Sequence, residues 1–392
     1  MPGLHALLSP SAAHRWLACP PSARLHAKLT ERLGDQSSEF AAEGTQAHAL
    51  SELKLRVANG EINQFLFESE KKLLGEIPAE MERYTDSYVD TVLEKLYAAR
   101  KTCPDARLFI EQKLDMSAWV PQCFGTSDAV IVTDSTLEVI DLKYGKGVPV
   151  SAIGNPQARL YALGAVSEFG NIYSFYTIKE TIIQPRLDSI TEETMSKQDL
   201  LRWGEAIRPA ATLAYEGKGE FKCGEHCRWC AAKAVCRERA STALSVMGNA
   251  FDAPDVIPEE NIAGILKVAD LVESWLKDVR QYAYTQAMKG EKFEGFKLVR
   301  GRAPARKWKS EAEVIDQMAR AGYAESQYME APKLMSVAAL EKAIGRTAFK
   351  ALLANETVQG DAPLTLVPES DSREEFSSAD MAFADLAGDL SE

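Results

Sequence analysis

A chain of 392 residues is longer than one compact domain usually needs, and 46% hydrophobic with 26% charged residues excludes a disordered or fibrous chain. No apolar run reaches the roughly 18 residues of a membrane-spanning helix. The formal charge of −12 is uneven: positions 369–392 hold eight acidic residues against Arg373 alone, so the balance does not by itself exclude a nucleic-acid partner. The N-terminus lacks a positive start followed by an apolar stretch, and seven cysteines make an odd number. Both point to a reducing, cytoplasmic setting with no membrane association rather than to export and a disulfide framework.

In chain order, Ser9 with Pro10 predicts the start of a helix that runs through SAAHRWLA to Cys19, where Pro20 and Pro21 stop it. EGTQAHALSELKLRVANG predicts a second helix ended by Gly60, and a third spans roughly 75–100. The pattern then changes. ARLFIEQKL, GTSDAVIVT and TLEVIDLKY are short, rich in β-branched residues and bounded by turn residues, which predicts three strands. NPQARLYALGAVSEFG predicts a helix, NIYSFYTI a further strand, and 191–216 a long helix leading into a cysteine-rich patch at 223–236. That order predicts an α/β fold built on one mixed sheet flanked by helices.

MGNAFDAPDVIPEE has the composition of a linker, placed at 246–260. After it the sequence predicts a mainly helical C-terminal extension over 261–360. It comprises a long amphipathic helix, a hairpin in FKLVRGRAPARKW and two further helices. Positions 361–392 read as an acidic, disordered tail.

Two acidic residues stand among aliphatic ones in the expected strands, Asp128 in FGTSDAVIV and Asp141 in LEVIDLKYGKG. A buried carboxylate needs a partner, and a divalent cation is one. Lys143 shares the Asp141 face, because side chains along a strand repeat every second residue. Two carboxylates with an ammonium beside them suit phosphodiester hydrolysis, in which a cation activates water and the lysine orients it or stabilises developing charge. Gln157 and Tyr161 lie one helical turn apart on the following helix and share a face. His48, with Glu52 one turn on, is a further candidate ligand; Glu43 and Glu111 are weaker carboxylate candidates, read as solvated or supporting.

Cys227-x2-Cys230-x5-Cys236 is a metal-ligand spacing. Cys223 and His226 complete it locally for zinc, whereas Cys19, at the end of the first helix, completes it as a fourth thiolate of an iron–sulfur cluster. Cys103 and Cys123 read as incidental. Between Gly295 and Ser310, Lys297, Arg300, Arg302, Arg306, Lys307 and Lys309 are interleaved with Phe296 and Trp308, with no acid among them. Such a stretch suits phosphate contacts and base stacking on DNA, and Tyr144, Lys146, Arg15 and Arg24 are candidates to extend the path.

As an ordered set, SPSAAHRWLACP, EGTQAHAL, GTSD, DLK, QARLY and CRWCAAKAVC resemble the RecB-type iron–sulfur branch of the PD-(D/E)XK nuclease superfamily. AddB-like and CRISPR-associated exonucleases belong to that branch. The pattern covers roughly residues 9–240, within a nuclease domain at 1–245. The chain is also similar, almost to its tail, to an uncharacterised family of phage and prophage recombination modules. The resemblance implies a restriction-endonuclease-like core and a metal-dependent DNA nuclease, an exonuclease that processes DNA ends for recombination or replication. It implies that His48, Asp128, Asp141 and the Leu142 carbonyl bind Mg²⁺ or Mn²⁺, that Lys143 activates water, and that Gln157 and Tyr161 complete the catalytic wall. It further implies that Cys19, Cys227, Cys230 and Cys236 hold a [4Fe–4S] cluster, the alternative being Zn²⁺ at Cys223, Cys227, Cys230 and Cys236. The partners it implies are DNA and a phage single-strand annealing or single-strand-binding protein. The rival reading is a non-catalytic iron–sulfur or zinc protein that binds DNA or acts as an adaptor for a recombinase.

Overall fold

The computed structural model describes residues 6–33, 39–248, 259–330, 333–358, 362, 364–368 and 373–375. Most of the expected linker at 246–260 and of the acidic tail at 361–392 lies outside the described residues. The chain forms two compact units, Met1–Trp275 and Leu276–Glu392.

Helices α1 (Ala13–Ala18), α2 (Ser22–Leu33), α3 (Glu39–Ala58), α4 (Gln64–Leu73) and α5 (Ala79–Thr102) come first. Strands β1 (Arg107–Asp115), β2 (Phe124–Val132) and β3 (Thr136–Leu142) follow, then α6 (Pro156–Phe169), β4 (Thr177–Gln184), β5 (Ser189–Ser196) and α7 (Lys197–Glu216). After α8 (Arg237–Gly248), the long α9 (Glu259–Met288) spans the division between the units.

The five strands make one mixed sheet in the order β1-β2-β3-β4-β5. Only β3 and β4 run parallel, because α6 provides the crossover between them, and the other neighbours are antiparallel. The sheet is covered on both faces, so its strands alternate between two cores. Val130, Val132, Leu137, Val139 and Ile178 pack with α6 and α7 residues such as Leu160, Leu163 and Leu200. Ala129, Ile131, Ile140, Leu142 and Ile183 pack instead with Tyr88, Val92 and Leu96 of α5. The predicted mixed α/β sheet flanked by helices is what the chain forms.

Several local expectations change. The first helix opens with a 3-10 turn, Pro10–Ala12, and its α-helical part begins at Ala13. The strand expected at 171–178 begins only at Thr177, since Tyr173 and Phe175 are loop residues drawn into the core by their rings. β5 occupies the start of the segment expected as helix 191–216. Its Ser-Ile-Thr-Glu-Glu-Thr-Met-Ser alternates half-buried and exposed positions, as an edge strand does, although Glu and Met favour helix. The helix itself begins at Lys197, capped by Ser196, whose side chain accepts from Asp199 N.

Helix α6 carries two candidate residues, and its seat on the sheet depends on Gly164. A Cβ there would meet Leu114 Cβ at 2.9 Å and Met116 Sδ at 2.6 Å. The thioether can move, but Leu114 Cβ is fixed to its strand. Gly164→Ala is therefore expected to destabilise the first unit by about 1–2 kcal/mol, overpacking outweighing the roughly 1 kcal/mol gain in helix propensity. Thermal unfolding of the variant decides it, and an unchanged or raised Tm contradicts this account of α6.

The second unit contains β6 (Phe296–Arg300), β7 (Lys307–Trp308), α10 (Glu311–Arg320), β8 (Met329–Glu330), β9 (Lys333–Leu334), α11 (Val337–Ile344), α12 (Arg346–Leu353), β10 (Thr357–Val358) and β11 (Leu364–Pro368). β6 and β7 do not form the expected hairpin. β6 pairs with β11 and β7 with β10, so the Arg-Ala-Pro-Ala segment connects two separate ladders. The core of this unit is Val314, Met318, Tyr328, Val337, Leu340, Phe349 and Leu353. Among the described residues, no helix is long and apolar enough to cross a membrane.

Candidate functional site

Asp128 occupies a break in the sheet. The β2–β3 ladder ends at the pair Ala129–Ile140, and beyond it the Leu142 N–H donates to Asp128 Oδ2 at 2.6 Å in place of a strand partner. On the other side, the β1–β2 ladder pairs Ile110 with Ala129 and Gln112 with Ser127 but omits Glu111 and Asp128 between them. The reason is visible in the backbone: Glu111 has φ +48°, in the left-handed region, which costs a non-glycine residue about 1–2 kcal/mol. Strain of this kind concentrates at functional sites.

Four further predicted residues converge here. His48, from the middle of α3, places Nδ1 3.0 Å from Asp128 Oδ1. Asp141, near the end of β3, is 5% exposed. Lys143 lies on the same side as Asp141, as the strand period requires, with Nζ 2.7 Å from Asp141 Oδ2. Gln157 bridges the pair, donating from Nε2 to Asp141 Oδ1 at 2.8 Å and accepting from Lys143 Nζ at 3.0 Å. Its position follows from local sequence: Asn155 caps α6 by accepting from Gln157 N and Ala158 N, and Pro156 opens the first turn. Tyr161, one turn further on, is buried, and its ring sits where a Cβ on Gly125 would reach to 3.0 Å.

The electrostatics are those of a crowded anionic site. Burial pushes the Asp141 carboxyl up, against the pull of Lys143. Burial would lower His48, but the Asp128 carboxylate overrides it and raises the imidazole. Glu111 is pushed up to about 7, by burial first and then by the charge of Asp128. Nitrogen and oxygen ligand atoms of His48, Glu111 and Asp128 all lie within 4.8 Å of one another, so these three side chains can hold a cation between them.

The other acidic candidates are engaged elsewhere. Glu43 binds Arg186 at 3.0 Å, and Glu52 pairs with Arg56 along α3 at 2.7 Å. The structure also buries two strand acids that sequence reading passed over. Glu138 is held by Lys95 at 2.8 Å and by the Thr181 hydroxyl at 2.7 Å. Glu180, on β4, is fully buried, and neither carboxylate oxygen has a hydrogen-bond partner among the described residues. Burial, then the neighbouring Glu193, pushes it up to about 8, against Arg159. The folded protein thus holds a proton that the unfolded chain releases near pH 4.5. Stability should fall as pH rises from about 4.5 to about 8 and level off above, by at most about 5 kcal/mol at roughly 1.4 kcal/mol per pKa unit. Glu180→Gln should abolish this component, leaving a variant whose Tm advantage grows across that window. Parallel Tm–pH curves for the two proteins would contradict the assignment.

The cysteines form a second cluster in the first unit. Cys19 ends α1 and lines an enclosed cavity together with Cys227, Cys230 and Cys236. Lys222 N–H points at Cys19 Sγ at 3.5 Å, and His226 donates from Nε2 to Lys222 O at 2.9 Å. Burial alone would raise the Cys19 thiol, but the His226 hydrogen bond leads those that hold it below its usual value. Hydrogen bonding to Cys19 and then Cys227 pushes His226 up to about 10. Four thiols facing one enclosed space are a soft donor set suited to iron or zinc. Cys223 neighbours Cys227 without lining that cavity. Cys123 is buried in the sheet core, and Cys103 points to Asp134.

Of the residues expected on a DNA path, Arg15 is instead buried and donates to Ser22 O at 2.8 Å. Arg24 donates to Tyr215 O at 2.6 Å, and Tyr144 packs with Ala47, Leu50 and Met81. Arg15 and Tyr144 are thus buried within the fold, whereas Arg24 and Lys146 are exposed. In the second unit, Trp308 packs on Phe349 at 5.9 Å and donates to Met335 O, while Arg306 pairs with Glu341 and stacks over Phe349 at 5.1 Å. Arg302, Lys307 and Lys309 are exposed, Arg300 is exposed on β6, and Lys297 is half-buried.

Fold and site together define a mixed α/β protein whose sheet carries a histidine–carboxylate–lysine site, with a four-cysteine pocket in the same unit. Over residues 5–374 the sequence matches the family described as "Protein of unknown function (DUF2800)", and the protein belongs to that family. A solved structure described as "Crystal structure of SSO0001" aligns at 17% identity over 55% of this chain and 94% of that one, with a TM-score of 0.22, too low to carry any argument.

Proposed function

We propose that the protein is a divalent-metal-dependent deoxyribonuclease of the RecB-type PD-(D/E)XK branch, acting as an exonuclease on DNA ends in phage-type recombination or replication. The observation that carries this reading is convergence. His48, Asp128, Asp141, Lys143 and Gln157 come from four elements and meet in one site, with an ammonium 2.7 Å from a buried carboxylate. The donor set of carboxylates and imidazole fits Mg²⁺ or Mn²⁺, which when bound lowers the pKa of water and polarises a phosphoryl oxygen. Asp128, Asp141 and His48 would hold the ion, with the Leu142 carbonyl as the resemblance implies.

The chain's own residues supply orientation. Lys143, fixed from two sides by Asp141 and Gln157, presents its ammonium where attacking water and developing phosphate charge need a donor. Gln157 holds the lysine and the carboxylate in register, and Tyr161 closes the wall beside them. Cys19, Cys227, Cys230 and Cys236 fit a [4Fe–4S] cluster whose part is to tie α1 to the segment after α7. The exposed cations of 297–309 and Lys146 are the candidate phosphate contacts, and an annealing or single-strand-binding protein is the candidate partner.

The test is an assay of full-length, anaerobically purified protein on end-labelled linear and on circular DNA, with Mg²⁺, Mn²⁺ or EDTA. Metal-dependent loss of linear DNA alone is the expected result. Cutting of circles would make the protein an endonuclease. Binding of DNA without cleavage under every condition would replace the enzyme with a non-catalytic DNA-binding adaptor.

A further inference from the structure

We propose that Glu111 is a ligand of the divalent cation, completing a His48–Glu111–Asp128 set; this rests on the metal-dependent reading of the site. The motif pattern places no ligand on β1, and sequence reading offers Glu111 only as a weaker, solvated or supporting carboxylate; geometry raises it to a ligand. Its carboxylate lies within 4.8 Å of ligand atoms of both His48 and Asp128. The three residues stand on three different elements, α3, β1 and β2, so no local sequence constraint brings them together.

Asp141 also engages the lysine. Its Oδ1 accepts from Gln157 Nε2 at 2.8 Å, and its buried Oδ2 pairs with Lys143 Nζ at 2.7 Å but has no hydrogen-bond partner among the described residues. Asp141 thus orients the lysine through its ion pair and keeps Oδ2 for the cation, while Glu111 is turned toward Asp128 and the imidazole. Turning it there requires the left-handed conformation of Glu111 and the gap in the β1–β2 ladder. In a regular strand Glu111 and Asp128 would simply face each other as a cross-strand pair of like charges, which repel. Two carboxylates and an imidazole brought together at a strained residue in the middle of β1 need either protons or a cation to balance them, and a cation is the one that uses all three as ligands. One nitrogen and two hard oxygens form a set that favours Mn²⁺ over Mg²⁺, because the imidazole adds a bond that Mg²⁺ uses poorly.

The experiment titrates full-length protein with Mn²⁺ and follows the loss of the free-ion paramagnetic resonance signal, with calorimetry as a second readout. The variants are Glu111→Gln, Glu111→Gly, Asp128→Asn and Asp141→Asn, each checked for folding by circular dichroism and thermal unfolding. Glu111→Gln should weaken Mn²⁺ binding by at least about tenfold, since affinity at such sites follows the count of charged ligands. Glu111→Gly separates ligation from structure: glycine relieves the left-handed strain, so Tm should hold or rise while Mn²⁺ affinity falls as in Glu111→Gln. Wild type that binds Mn²⁺ and loses it in Asp128→Asn, with both Glu111 variants binding within twofold of wild type, overturns the role of Glu111 and leaves the metal site standing. Wild type that binds no Mn²⁺ overturns both.

Discussion

On the nuclease reading proposed above, Lys143→Ala is expected to lower DNA cleavage on the order of a thousandfold while leaving DNA affinity within a few-fold of wild type. The magnitude follows from what the ammonium does. It is held in one orientation by Asp141 at 2.7 Å and Gln157 at 3.0 Å, so it contributes without reorganising as charge develops on the phosphate. Lys143→Arg should not restore activity, because a planar guanidinium cannot fill the same two contacts as a compact ammonium. Stability gives a second readout. Removing Lys143 leaves Asp141, 5% exposed, without its counter-ion, and breaking a buried pair from one side costs about 3–5 kcal/mol. Adding Asp141→Asn should recover much of that stability and none of the activity. Single-turnover rates at saturating Mg²⁺ with parallel thermal melts separate the two effects. Cleavage by Lys143→Ala within a few-fold of wild type would remove the lysine from the chemistry.

The sequence made the central strands legible because they obey two simple rules at once. β1, β2 and β3 combine β-branched composition with sharp turn residues, and their alternation shows directly in the two cores. The Asp141–Lys143 contact was legible for the same reason, since a period of two fixes which side chains share a face. Less legible was which buried acid belongs to a site. Glu138 stands three residues before Asp141 in the same strand, equally surrounded by aliphatics. It faces Lys95 of α5 and Lys179, a structural network that only tertiary packing reveals. Glu111 stood out only as a weaker candidate for the opposite reason, because nothing in ARLFIEQKL marks a residue that will leave the β region. Edge strand β5 pairs with β4 immediately before it against its own local propensity, and the pairing of β6 with β11 depends on a distant partner on which local propensity is silent. Trp308 and Arg306 looked like a nucleic-acid platform because cations and aromatics side by side serve core packing on Phe349 equally well.

On the iron–sulfur reading proposed above, Cys19→Ala is expected to remove the metal from the cysteine cluster and to destabilise the N-terminal part of the first unit more than any other single change described above. α1 has six residues, far below what an isolated helix needs to persist in water. It is held by burial of Ala13 and Trp16 in the core and, at its end, by Cys19 in the cavity shared with Cys227, Cys230 and Cys236. Arg15 raises the stakes. Burial works against its charge, and the thiolates of Cys230 and then Cys19 favour it, so loss of the cluster leaves a buried guanidinium with weakened compensation. Metal coordination by four thiolates is worth on the order of 10 kcal/mol in small structural sites, comparable to the whole stability of a typical domain. Anaerobic protein should be brown with iron and sulfide near four each per chain, and Cys19→Ala should be colourless with a large drop in Tm. Cys223→Ala should keep both colour and stability, because Cys223 does not line the cavity. The reverse pattern, a colourless zinc protein indifferent to Cys19→Ala and emptied by Cys223→Ala, would move the fourth ligand to Cys223. The tie between α1 and the segment after α7 would then rest on packing alone.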